Sequence, residues 1–195
     1  MKSLALCLAL AAAVSACGQT PGDAPPDRRT DSIDASSAVG PEMMAAFGEV
    51  PLIKHSNDLA VRIFYIPTFD HPFMIRHSSS GAAGANRAVV LSGKGRYAPG
   101  NICHEASSES NDGQVLARIS SLEDAGFWQS PSTDDVGGSD GAILVIEVVE
   151  NGNYRGWVRW APTYKAHERK LESLNLLLLD EILGESLVGV SCSEV

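Results

Sequence analysis

Residues 142–160 read AILVIEVVENGNYRGWVRW and give the clearest structural signal in the chain. Two runs rich in β-branched and aromatic residues, 143–149 and 154–160, flank Asn151-Gly152. An Asn-Gly pair between strand-like runs is the strongest short signal for a β-hairpin, because both residues tolerate the positive φ angles of a type I′ turn. The sequence therefore predicts two antiparallel strands joined by a two-residue loop.

The turn also determines which side chains share a face of the hairpin. In the register that it imposes, Glu147 lies opposite Gly156, whereas Arg155 and Arg159 point to the other face. Both faces of the first strand are apolar, which is typical of a strand covered on both sides. We therefore expect the hairpin to be central in its sheet.

Glu147 stands inside this apolar strand and needs a partner, because an unpaired buried charge costs several kcal/mol. The two arginines of the hairpin face away from it, so Arg62 and Arg87 are the candidate donors. Two interpretations stay open for Glu147, Arg155 and Arg159. They form ion pairs that lock the sheet to a helix or loop, or they supply a carboxylate and guanidinium groups to a ligand.

The rest of the chain adds further strands and two helices. Apolar and β-branched runs predict strands at 59–66, 73–77 and 87–91, with a Ser/Gly/Ala loop over 78–86. Asp112 is a good helix N-cap, Val115, Ile119 and Leu122 follow at helical spacing, and Gly126 ends the helix. A second helix is predicted over 164–183. The order β-β-β-α-β-β-α indicates an α+β fold: an antiparallel sheet of about five strands with two helices packed on it.

The N-terminus carries a short apolar run over 4–14 after Lys2, too short to span a bilayer. It ends in Val14-Ser15-Ala16-Cys17, which resembles the lipobox of bacterial lipoproteins. The resemblance implies cleavage before Cys17, acylation of that residue and anchoring to membrane lipid. Gly18 rather than Asp follows the cysteine, so we expect the periplasmic face of the outer membrane. An ordinary cleaved secretory signal is the alternative.

These features divide the chain into three parts. Residues 1–16 are the signal peptide, and residues 17–45 are a lipidated flexible tether rich in Gly, Pro, Ser and Ala, which cannot bury enough surface to fold. Residues 46–195 form a single α+β domain.

The whole chain has a formal net charge of −9. Such an acidic surface argues against a nucleic-acid partner.

The cysteines predict one crosslink. Cys7 leaves with the signal peptide and Cys17 is the lipidation site, so Cys103 and Cys192 are the remaining thiols. In an oxidising compartment they are expected to form a disulfide, which in the chain-entropy description stabilises by roughly 4 kcal/mol. Two separate thiols are the alternative.

No catalytic, metal or cofactor motif stands out in the sequence. Asp140 belongs to an acidic, glycine-rich loop over 134–141 whose spacing does not match an EF-hand, so we expect a solvated loop and keep Asp140 as a candidate ligand-binding or structural residue. The histidines lack the spacing of a zinc site. The segment 92–96 is glycine-rich and basic but lacks phosphate-loop spacing, which predicts an exposed turn. We expect no cofactor and no metal.

Residues 126–162 resemble an uncharacterised group of small secreted bacterial proteins. The shared residues are Phe127-Trp128, Asp140-Gly141, Glu147, Tyr154, Arg159-Trp160 and Pro162, together with the segment 93–100. The chain departs from the group at Leu144, where an aromatic residue is expected. The resemblance implies a shared fold and assigns no catalytic residue.

The function expected from these observations is non-catalytic binding of an envelope protein or a small ligand. A small envelope hydrolase would instead need Asp, Glu or His side chains that converge in one pocket. An inhibitor or immunity-type protein is a third alternative. Binding would require an apolar groove near the tryptophans.

Overall fold

The structure, a computed structural model, describes residues 33–54, 59–80, 83–127, 140–160 and 192. It contains six strands, three α-helices and one 3-10 turn at Leu52–Lys54. The strands are β1 (Leu59–Pro67), β2 (Phe73–Ser80), β3 (Ala83–Leu91), β4 (Ile102–Ser110), β5 (Ala142–Glu150) and β6 (Asn153–Trp160). The helices are α1 (Ser36–Val39), α2 (Pro41–Ala46) and α3 (Asp112–Asp124).

All six strands form one antiparallel sheet in the order β4-β3-β2-β1-β5-β6. Strands β1 to β4 are successive neighbours, and the chain then returns through α3 to place β5 on the free side of β1. The predicted α+β class with an antiparallel sheet is confirmed, with six strands rather than about five. The second predicted helix, 164–183, lies outside the described residues.

The additional strand, β4, is polar and was not predicted. Its sequence, ICHEASSES, has no alternation of apolar residues, and most of its side chains are exposed. Among the described strands it pairs with β3 alone, and a strand at this edge is held by backbone hydrogen bonds rather than by a buried face. The predicted loop over 78–86 is wrong for the same reason, because small polar residues there continue β2 and begin β3.

The hairpin matches its prediction. Asn151 and Gly152 have φ angles of 51° and 76°, as a type I′ turn requires, and Glu147 lies opposite Gly156. Every residue of β5 from Ala142 to Val149 is buried. The central position holds for β5 alone, since β6 is the outermost described strand on this side of the sheet.

One face of the sheet packs against α3. Val115, Ile119 and Leu122 of this helix join residues of β1 and β5 in a single buried cluster, together with Phe127 and Trp157. The helix N-cap is Asn111 rather than the predicted Asp112. The Asn111 side chain accepts from the Gln114 backbone N–H, and the Gln114 side chain accepts from the Asn111 backbone N–H.

The other face is covered by residues 34–50, which we call the strap. It contains α1 and α2, and it buries Val39, Met43 and Phe47 against β1, β2, β3 and β5. The boundary predicted between a flexible tether and a domain at residues 45 and 46 is therefore wrong: the packed part of the chain begins no later than Ala35, which is fully buried. Ala35, Met43 and Met44 provide buried apolar surface in a segment whose overall composition is polar.

Cys103 of β4 and Cys192 form the predicted pair, with Cα atoms 5.7 Å apart, the usual separation for a disulfide. The pair joins the edge of the sheet to a residue near the C-terminus. Within the described part of the chain, no helix combines the length and apolar character needed to cross a membrane.

Candidate functional site

A row of charged residues crosses the sheet on the face beneath the strap. Arg87, Arg76, Arg62 and Glu147 occupy β3, β2, β1 and β5, and each is the direct cross-strand partner of the next. We call these four residues the charged row. In-register partners share a face of the sheet, so the strand pairing alone brings three guanidinium groups and one carboxylate into line.

Glu147 and Arg62 form a fully buried ion pair. Glu147 Oε2 lies 2.7 Å from Arg62 Nε and 2.6 Å from the second terminal nitrogen, and both side chains have no exposed surface. The Tyr154 hydroxyl donates to Glu147 Oε1 at 2.9 Å. Burial raises the pKa of Glu147 above its ordinary value, against the opposing effects of Arg62 and Tyr154. Of the two donors proposed for Glu147, Arg62 is the one that contacts it.

The strap adds a second buried carboxylate, Glu49, which contacts all three arginines of the row. Its oxygens lie 2.9 Å from a nitrogen of Arg62, 2.9 Å from one of Arg76 and 2.7 Å from one of Arg87. Only 1% of the Glu49 side chain is exposed. Arg87 also contacts Glu105 of β4 at 2.7 Å. Sequence reasoning missed Glu49 because it assigned the preceding residues to a tether.

Tyr154 and Gly156 of β6 position the start of the strap. The Ala35 backbone N–H donates to the Tyr154 hydroxyl at 3.0 Å. A Cβ atom on Gly156 would overlap the Ile33 carbonyl oxygen and lie 2.7 Å from Ala35 Cβ. Only a glycine at position 156 therefore lets the strap approach the end of the charged row. Burial and the Glu147 carboxylate raise the pKa of the Tyr154 hydroxyl well above its ordinary value.

The charges around the row balance. Three arginines meet the carboxylates of Glu49, Glu147 and Glu105, and the two central carboxylates are enclosed by protein. Every carboxylate oxygen of Glu49 and Glu147 accepts a hydrogen bond from a side chain of the protein. This arrangement favours the structural interpretation of Glu147, in which the row clamps the strap to the sheet.

Arg155 and Arg159 lie on the opposite face, as the hairpin register predicts. The Arg155 guanidinium carbon lies 5.1 Å from the centre of the Phe127 ring, and that of Arg159 lies 4.0 Å from the centre of the Trp157 ring. Both arginines are buried. The structure thus separates them from Glu147 by the thickness of the sheet, and they do not form one site with it.

A cleft of about 390 Å³ opens at the end of the sheet where β1 and β6 end and β5 begins. Its apolar walls come from the ends of these strands, and its polar rim comes from the loop between β3 and β4. We call this the cleft, and its lining consists of Ile66, Pro67, Thr68, Lys94, Arg96, Tyr97, Ile143 and Trp160. Asp140 is exposed beside it, next to Gly141, whose backbone pairs with Thr68.

The loop that forms the rim is tightly built. The Gly93 N–H donates to the Pro99 carbonyl at 3.0 Å, and the Gly95 N–H donates to the Asp70 carbonyl at 3.2 Å. Gly95 has a φ angle of 76°, and a Cβ atom there would overlap the Thr68 carbonyl oxygen. The segment 92–96, predicted as an exposed turn, therefore belongs to a compact loop whose backbone contacts that of Thr68 and Asp70.

This compact loop presents its large side chains outward. Tyr97 is 91% exposed, and Lys94 and Arg96 are exposed as well. The lining contains two cationic side chains and two aromatic ones, and no carboxylate or imidazole is among the described residues that form it. Cationic and aromatic side chains of this kind can contact anionic and planar groups. In the sequence, the available signal for this site was a set of basic and aromatic residues beside closely spaced glycines: Lys94, Arg96 and Tyr97.

Metal binding receives no support from the described ranges, which contain no group of three His, Cys, Asp or Glu side chains that could hold an ion. Comparison of the chain with protein-family models and with curated proteins finds no match.

Proposed function

We propose that this protein is a lipid-anchored, non-catalytic binding module of the bacterial cell envelope and that the cleft is its ligand-binding site. The observation that carries the proposal is a concave site that joins apolar walls to exposed polar and aromatic groups on a compact loop. Its volume of about 390 Å³ falls within the range of small-molecule pockets, roughly 300–1,000 Å³.

The build of the cleft supports binding over a purely structural role. Loop side chains that only fill space are expected to turn inward, whereas Tyr97 exposes nearly all of its surface. Contacts of the Gly93 and Gly95 backbones fix the loop before any ligand arrives. Preorganisation of this kind lowers the entropy lost on binding.

The hydrolase alternative finds no comparable support in the described residues. Glu49 and Glu147, the buried carboxylates, are occupied by arginines, and His71 directs Nδ1 to the Gly93 carbonyl at 3.1 Å. None of these groups lines the cleft. Within the ranges that the structure describes, no specific contact favours an inhibitor or immunity-type protein.

The binding role is tested by ligand-observed NMR, with a library of small aromatic and amphipathic compounds and the full chain. We expect hits whose signals weaken with Tyr97→Ser. The matched control is Phe69→Ser, since Phe69 is 71% exposed and does not line the cleft. An absence of hits, or equal losses from both variants, would contradict the proposal.

The anchor is tested separately. Wild-type protein is expected in the membrane fraction with an acyl mass on Cys17, and Cys17→Ala is expected to remove both. Intact-mass spectrometry of fractionated cells provides the measurement. An unchanged distribution and no difference in acyl mass between the two proteins would overturn the lipid anchor and leave the binding role of the cleft to its own test.

A further inference from the structure

The charge on the rim of the cleft differs in sign from that of the protein as a whole. The chain has a net charge of −9, yet the two charged side chains among the described residues that line the cleft, Lys94 and Arg96, are cationic. Basic side chains gathered beside a concave surface attract anions even when the total charge of the protein repels them. The positive charge at the rim therefore favours anionic ligands.

Arg96 is the main source of this preference for anionic ligands. In contrast to the three arginines of the charged row, it makes no hydrogen bond or ion pair with the described residues, and it is exposed. A guanidinium group offers a planar fork of donors that matches a carboxylate or phosphate. The nearby Asp70 uses Oδ1 to accept from the His71 backbone N–H, and it is not part of the lining.

The remaining lining is suited to a compact apolar or ring-shaped group. Ile66, Ile143 and Trp160 form walls continuous with the core beneath the strap, and Tyr97 stands at the rim. Aromatic side chains bind flat groups by offset or edge-to-face packing. A volume of about 390 Å³ is at the small end of the range for ligand pockets, which suits a body of one or two rings.

We propose that the cleft binds a small organic anion, with a carboxylate or phosphate held at Arg96 and Lys94 and a ring or compact apolar body held against Trp160, Ile66 and Ile143. This inference rests on the proposed binding function and adds the chemical class of the ligand. The anionic group supplies selectivity, and the apolar body supplies buried area.

The test compares ligands that share a naphthalene ring and carry either an anionic or a neutral head group. Naphthalene-1-acetate, 1-naphthyl phosphate and neutral naphthalene-1-acetamide are titrated into the full chain in a non-ionic detergent by isothermal titration calorimetry. We expect at least one anion to bind about tenfold or more tightly than the amide, since charge-assisted hydrogen bonds are about twice as strong as neutral ones. The two anions separate carboxylate from phosphate as the preferred group. The preference should shrink as salt is raised from 50 to 500 mM, because ions screen exposed charges.

Two variants distinguish the effect of the charge at the cleft from the effect of the net charge of the protein. Arg96→Gln is expected to remove most of the preference for the anions and to leave the affinity for the amide unchanged. Arg118→Gln changes the net charge equally, but Arg118 is part of α3 and outside the lining, so the preference should persist. Circular dichroism establishes that both variants fold.

The outcomes distinguish the two proposals. If all three naphthalene compounds bind equally and Arg96→Gln changes none of them, the cleft is a binding site and the anionic class is wrong. If the amide binds more tightly than the anions, the class is also wrong. If no compound binds and the NMR screen finds no hits, the proposed function itself fails.

Discussion

The charged row and the cleft use the same residue type in opposite ways. Arg62 lies in the centre of the sheet without exposed surface, and two buried carboxylates contact it. Arg96 stands on an exposed loop and contacts no described carboxylate. The charges of the row are therefore neutralised within the fold, whereas the guanidinium group of Arg96 is exposed at the cleft.

Replacement of Arg62 should have the largest effect on stability. Arg62→Met is expected to lower the free energy of unfolding by about 3–5 kcal/mol, because Glu147 is left buried without its main partner. Urea denaturation measures the loss. The double variant Arg62→Met with Glu147→Met should recover at least half of it, since the uncompensated charge is then absent. A loss below about 1 kcal/mol in the single variant would contradict the buried pair.

The next effect concerns the attachment of the strap. Glu49→Gln should cost about 2–3 kcal/mol, because charged hydrogen bonds to three arginines are lost or weakened. Hydrogen exchange in residues 34–50 should accelerate more than in the sheet. Glu105→Gln is the matched control, since that side chain is 44% exposed and its ion pair is worth about 1 kcal/mol or less. Equal effects of the two substitutions would show that Glu49 does not fasten the strap.

Gly156→Ala tests the close approach of strap and sheet. The added methyl group would meet Ile33 and Ala35, so we expect a loss of about 1–3 kcal/mol in thermal or urea unfolding. Gly113→Ala in α3 provides the comparison. A Cβ atom there meets only the Asn111 side chain at 3.2 Å, and stability should stay within about 1 kcal/mol of wild type. If Gly156→Ala were as stable as the wild type, the close packing of Ile33 and Ala35 against Gly156 would be contradicted.

Tyr154 should make the free energy of unfolding depend on pH in the alkaline range. The pKa of its hydroxyl is raised in the folded protein, so the folded state holds this proton more tightly than the unfolded state. This contribution is complete below about pH 10, the ordinary tyrosine value, and is lost as the pH rises toward the folded pKa. The free energy of unfolding of wild type should therefore fall more between pH 8 and pH 11 than that of Tyr154→Phe.

The matched control is Tyr97→Phe in the cleft, which should follow the wild-type pH profile because Tyr97 is exposed and has no contact with the row. Parallel profiles for wild type and Tyr154→Phe would exclude the role assigned to this hydroxyl.

The smallest effect on stability is expected in the cleft. Arg96→Gln should change the free energy of unfolding by no more than about 0.5 kcal/mol, because exposed residues without structural contacts contribute little. Arg62→Gln, an identical chemical change in the row, should be several times more costly in the same urea experiment. A large loss for Arg96→Gln would show that the loop needs this arginine to fold.

Local patterns predicted the elements whose signals are contained within a few residues. The Asn151-Gly152 turn fixes the hairpin register, and that register alone places Glu147 on the face opposite Arg155 and Arg159. Val115, Ile119 and Leu122 marked the buried face of α3. The need of Glu147 for a cationic partner followed from the cost of burying a charge, and Arg62 was one of the two donors considered.

Other elements gave no local signal. The strand β4 is polar and takes its structure from pairing with β3, and the small residues of the strap are indistinguishable in composition from a tether until they meet the sheet. Glu49 therefore had no recognisable role in the sequence. The cleft also escaped prediction, because its lining comes from three strand ends and a loop distant in the chain.

The amino-acid sequence alone specifies the hairpin, its register and the buried stripe of α3, because these depend on backbone preferences and on periodicity. It also led us to expect the pair Cys103–Cys192, whose Cα atoms lie 5.7 Å apart in the fold. The contacts of three arginines with Glu49 and the exposed position of Arg96 at the cleft arise only from the assembled sheet. The free energy of a charge depends on the groups that surround it, and those groups are brought together by strand order.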